Sequence, residues 1–97
     1  MWTTTASEDL LEDYIYIARA NPAAADRFVF DIDEKVRSFS HGGLTGIKRD
    51  ELGTGLRSFA YRERIIVFLI NDQELIVVRI LHGHQDISAK NFEQEEN

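Results

Sequence analysis

The run Leu75 to Asp86, LIVVRILHGHQD, ends an apolar stretch with four side chains capable of chemistry: Arg79, His82, His84 and Asp86. A guanidinium is a planar fork for carboxylate or phosphate. Imidazole moves protons near neutral pH. His82, His84 and Asp86 alternate at two-residue spacing, which on one strand would line up three metal ligands. Gly83 ends the strand, however, and no fourth ligand is apparent. Gly83 and Asp86 suit turn geometry and backbone hydrogen bonds better, so no metal or cofactor is expected. His82 falls on the strand face taken as the core, where a hydrogen-bonded structural histidine is the expected role.

These residues sit on the last of three strand-like runs, Leu56–Tyr61, Arg64–Ile70 and Leu75–His82. Arg62-Glu63 and Asp72-Gln73 are too short for anything but tight antiparallel hairpins. Two-residue turns would set Arg57 opposite Phe68, Phe59 opposite Ile66, Phe68 opposite Val77 and Ile66 opposite Arg79. Directly opposed residues share a face. One face then carries Leu56, Ser58, Ala60, Ile65, Val67, Leu69, Ile76, Val78 and Ile80 without a charge, and is expected to be the core. The other carries Arg57, Phe59, Tyr61, Ile66, Phe68, Ile70, Leu75, Val77, Arg79 and Leu81. Helices on one side of a sheet leave the second side to be met by something else, and an apolar patch with charges in it marks a binding surface. The chain's own C-terminal segment or a second copy would be the alternative cover. Arg57 and Arg79 would lie about 12 Å apart, close enough to converge on one anion.

Upstream of the strands, Leu10, Leu11, Tyr14, Ile15 and Ala18 recur at helical spacing after Thr5-Ala6-Ser7-Glu8, which fits a capping box. Glu8, Asp9, Glu12 and Asp13 suit the positive end of that helix dipole. Asn21-Pro22 caps and opens a second helix, with Ala25, Phe28, Val29, Ile32, Val36 and Phe39 as its stripe and His41-Gly42-Gly43 as its end. The fold class is α+β: an N-terminal antiparallel helical hairpin packed on a three-stranded antiparallel sheet, with a short first strand at Trp2–Thr5 as a candidate fourth. One domain over 1–97 is expected, with the hairpin at about 5–40, a glycine-rich loop at 41–55, the meander at 56–82 and an acidic C-terminal tail at 83–97.

The 97 residues carry a net charge of −6 and no cysteine. Residues 1–40 hold 8 acidic and 4 basic side chains, 41–82 hold 5 and 6, and 83–97 hold 4 and 1. That balance opposes binding nucleic acid by bulk charge. Neither a signal-peptide pattern nor a bilayer-length apolar run is present, so no membrane contact and a cytoplasmic location are expected.

The second half, DELGTGLRSFAYRERIIVFLINDQELIVVRILHGHQDI, resembles the ParE branch of the RelE/ParE toxin superfamily: an acidic-Leu-Gly loop, a Gly-Leu-Arg-Ser-Phe strand, an Ile-Val-Phe hairpin, then Arg-Ile-Leu-His-Gly followed by Asp. NPAAADRF at 21–28 is similar to the start of that family's second helix, and the resemblance runs from about Glu8 to Ile87. It implies the toxin of a type II toxin–antitoxin pair, neutralised by a ParD-like antitoxin whose C-terminal segment wraps over apolar grooves, and inhibiting DNA gyrase without covalent chemistry of its own. The expected antitoxin contacts are Arg57, Phe59, Ile66, Phe68, Val77, Arg79 and Leu81, with His82, Gly83 and Asp86 as motif positions of unassigned role. Family members usually begin with a longer strand than Met1–Thr5 allows, so the sheet edge is expected to be open or paired by the antitoxin. The alternatives are a RelE-like ribosome-dependent mRNA endonuclease, or a non-toxic scaffold that binds an antitoxin. Arg57 and Arg79 stand at positions similar to the nuclease branch's phosphate-binding arginines. That branch would also use a C-terminal tyrosine or histidine for proton transfer; no tyrosine follows Leu81, and an acidic tail next to a phosphorane-like dianion would be unfavourable.

Overall fold

The computed structural model describes residues 1–41, 46–72, 74–83, 87 and 92. Two helices, α1 (Thr4–Ala20) and α2 (Pro22–His41), precede four strands: β1 (Ile47–Lys48), β2 (Arg57–Tyr61), β3 (Arg64–Asn71) and β4 (Glu74–His82). The strands form an antiparallel sheet in the order β1-β2-β3-β4.

The chain enters α1 from the sheet. Val77 N–H donates to the Met1 carbonyl at 2.8 Å and Thr3 N–H to the Val77 carbonyl at 3.0 Å, making a parallel bridge between Trp2 and Val77. The Met1 amine adds a bond to the Leu75 carbonyl. The sheet edge, expected to be open or paired by the antitoxin, is on β4 paired over these residues by the chain's own first three. Thr3 leaves this pairing extended, as an N-cap must, and its hydroxyl oxygen accepts from Ala6 N–H at 3.0 Å. The cap is therefore Thr3 rather than Thr5, and the first turn holds no acidic residue. Asn21 caps α2 as expected, its side-chain oxygen accepting from Ala24 N–H. Gly42 and Gly43, expected to end α2, lie outside the described residues.

The fourth strand comes from within the expected loop rather than from Trp2–Thr5. β1 pairs Ile47 with Ser58 and Lys48 with Arg57. Gly46 opens it at φ +84°, where a Cβ would stand 2.7 Å from the Ser58 carbonyl oxygen, so any side chain there would clash.

Both hairpins have the two-residue turns read from the sequence: Tyr61 pairs with Arg64 and Asn71 with Glu74. Arg62 and Asp72 take the positive φ that tight hairpins require. The register departs from expectation in the middle of β4. Phe68 faces Val77, but Val67 faces Arg79 and Ile66 faces Ile80, so Val78 is an extra residue. This β-bulge moves Arg79 to the face opposite Arg57.

The bulge and the helices together reverse the expected faces. The helices cover Phe59, Tyr61, Ile66, Phe68, Leu75, Val77 and Ile80, which form one core with Ala6, Phe28, Ile32 and Val36. Aromatic pairing explains the choice. Phe39 stacks on Phe59 at 4.3 Å between centroids and also meets Phe68, while Phe28 meets Tyr61. The uncharged face, expected to lie under the helices, is instead covered by the loop and the chain's end: Leu52 and Leu56 bury Val67 and Leu81, with Ile87 and Phe92 packed beside them. The second apolar face is thus for self-cover.

Two expectations follow. Phe68 is 0% exposed, so Phe68→Ala should lower unfolding free energy by about 3–5 kcal/mol in urea titrations; a loss under about 1 kcal/mol would mean an open face. The Tyr61 hydroxyl donates to Asp31 Oδ2 at 2.7 Å, and burial, reinforced by that bond, raises its pKa. A folded-state value above the unfolded one contributes stability that is complete below the unfolded pKa and is lost as pH rises through the folded one. The urea midpoint should therefore fall in strongly alkaline buffer, and fall less steeply in Tyr61→Phe.

Candidate functional site

Beyond the bulge, α1 lies against the end of β3 and β4, and its carboxylates meet the strand arginines. Asp9 and Asp13 are four residues apart, on the side of α1 that also carries buried Ala6. Asp9 accepts from Arg79 through both oxygens, Nε at 2.8 Å and Nη2 at 3.2 Å. Its Oδ2 also accepts from the Ile80 backbone N–H at 2.9 Å, a β4 edge donor beyond the reach of the N-terminal pairing. One turn on, Asp13 Oδ2 accepts from Arg64 Nε at 3.0 Å, both side chains being 11% exposed. The Arg64 guanidinium also lies over the Phe28 ring. His82 Nε2 stands 3.5 Å from the other Asp13 oxygen.

The structure separates the residues expected to act together. Arg57, half-buried, is paired across the sheet with Phe68, while Arg79 is paired with Val67, so the two sit on opposite faces and do not converge on one anion. Phe59, Ile66, Phe68 and Val77 are interior under the helices, and Leu81 is interior on the other face. The open surface expected at these five does not exist. His82 is on the helix side but is half exposed rather than a core residue. Gly83 N–H donates to the Glu63 carbonyl at 2.8 Å, tying the end of β4 to the β2–β3 turn. His84 and Asp86 lie outside the described residues, among which no group of three His, Cys, Asp or Glu side chains could hold a metal ion.

The sequence reading missed Asp9, Asp13 and Arg64. Their signal was available: Ala6, Asp9, Asp13 and Ile17 follow helical spacing, and arginines inside strands need carboxylates. A helical hairpin clamped to an antiparallel sheet by such charge pairs defines a small α+β scaffold. The structure is similar to the chromosomal ParDE TA system from P. aeruginosa, with a TM-score of 0.68 and 26% identity over 84% of this chain and 90% of that one. It shares its fold with the YoeB-YefM complex from Staphylococcus aureus, with a TM-score of 0.57 and 24% identity over 84% and 92%. None of the curated proteins matches the chain in sequence. The family model for the ParE toxin of type II toxin-antitoxin system, parDE, matches residues 1–87, and the chain belongs to that family.

Removing one partner of the Asp13–Arg64 pair leaves a charge in a mostly dry site. Asp13→Asn should cost about 3 kcal/mol, whereas Asp33→Asn, which breaks the exposed i,i+4 pair with Arg37, should cost under about 1 kcal/mol. Equal losses by chemical denaturation would show that the α1 clamp is no stronger than a surface pair.

Proposed function

We propose that this ParE-family toxin is neutralised by a ParD-like antitoxin and inhibits DNA gyrase through protein contact, without cutting RNA itself. The observation that supports it is the occupied state of Arg79. A nuclease needs its cations open to phosphate, and here a carboxylate fork from α1 holds the guanidinium. Asp13 does the same for Arg64. The likeness to a ParDE system supports an antitoxin partner. With Phe59, Ile66, Phe68, Val77 and Leu81 interior, the apolar contacts for that partner are assigned to the helical hairpin, while Arg57 and Arg79, each part-exposed, keep a role at its margin.

Purified toxin added to gyrase and relaxed plasmid should stop supercoiling and trap cleaved DNA. Translating ribosomes given the same toxin should keep their mRNA intact. Cut mRNA with normal supercoiling would establish the nuclease instead, and inactivity in both assays would leave an antitoxin-binding scaffold.

A further inference from the structure

Ile15 follows buried Ala6 by about two and a half helical turns, so it stands on the side of α1 that faces away from the core. Leu11, Ile15 and Ala18 run along that outer side at the four- and three-residue spacing of a coiled-coil seam. Leu11 is 57% and Ile15 44% exposed, so neither belongs to the chain's own interior. Glu12 and Arg19, both exposed, flank this seam on one and the same side. They stand about 10 Å apart along the axis, too far to pair with each other. Among the described residues neither joins an ion pair.

We propose that the outer side of α1 pairs with α1 of a second copy of this chain, antiparallel, about a two-fold axis near Ile15. A two-fold contact must be complementary to itself, and charge makes this one so. Reversal about the axis sets residues before Ile15 in one copy beside residues after it in the other. Leu11 then packs beside Ala18, and Glu12 of each copy meets Arg19 of its mate. Parallel pairing would turn the Glu12–Arg19 flanks to opposite sides of the dimer, out of each other's reach. The antiparallel arrangement also opposes the two helix dipoles. The acidic character of α1 does not stand in the way. Asp9 and Asp13 turn to the strands, where Arg79 and Arg64 neutralise them, and the two Glu8 carboxylates end about 20 Å apart along the axis. The contact is small, so the dimer is weak, with a dissociation constant on the order of 100 µM. It is read on the chain alone and holds whether or not the antitoxin and gyrase readings do.

Sedimentation equilibrium of the full chain should show its mass rising from monomer toward dimer as concentration passes through that range. Ile15→Lys, which sets two ammonium groups near the axis, should stay monomeric throughout. Glu12→Arg and Arg19→Glu should each dimerise at least about fivefold more weakly, because like charges then meet twice per dimer. An equimolar mixture of these two variants should form a heterodimer at least as tight as the wild-type dimer, since every Arg then faces a Glu across the seam. The substituted positions lie on the outer side of α1, and circular dichroism confirms that each variant is folded. A wild-type chain that stays monomeric up to about 1 mM overturns the proposal. So does a dimer that survives Ile15→Lys, or a mixture that associates no more tightly than its two components.

Discussion

β4 must serve two surfaces that ask for different side-chain sequences, and one extra residue reconciles them. In strict alternation, Val77 under the helices would require Arg79 under the helices too, a guanidinium inside an apolar core. Skipping Val78 in the ladder sends Arg79 to the other face and brings Ile80 into the core. The same irregularity leaves the Ile80 N–H at the strand edge, where the Asp9 carboxylate meets it together with the Arg79 fork. The helix–sheet interface, the fate of the arginine and the anchoring of α1 all follow from this one departure from period two.

That anchoring sets what the protein can do chemically. A guanidinium held at two nitrogens by one carboxylate has little left to offer a phosphate, since freeing it would strand Asp9 beside the edge amide. The deeper Asp13–Arg64 pair is still less available. On the proposed reading, a scaffold whose sheet-end cations serve its own architecture acts through its surfaces. This fits a toxin that works by being bound and by binding.

Much of the fold was legible because it rests on local signals. Asn21-Pro22 marks the break between the helices, and the two-residue turns at Arg62-Glu63 and after Asp72 set both hairpins. The faces were not legible. Both are apolar, and the uncharged one looked like the core because a loop able to cover it was not foreseen; Leu52 and Leu56 read as loop residues until they are seen against Val67 and Leu81. A bulge has no reliable sequence mark, and one residue of slip exchanges the sides. The family motif was readable from residue order, but Arg79 was assigned to a partner chain when it pairs with Asp9, a residue first read as serving a helix dipole.

The order of synthesis gives the N-terminal tie a further meaning. Met1 bonds to Leu75 and Asp9 to Arg79, separations of 74 and 70 residues. At about 5–20 residues per second, the segment that fixes α1 emerges roughly 4–14 s after α1 itself. Until then the hairpin has no sheet to close on. A growing chain of this kind cannot close its fold until β4 is made.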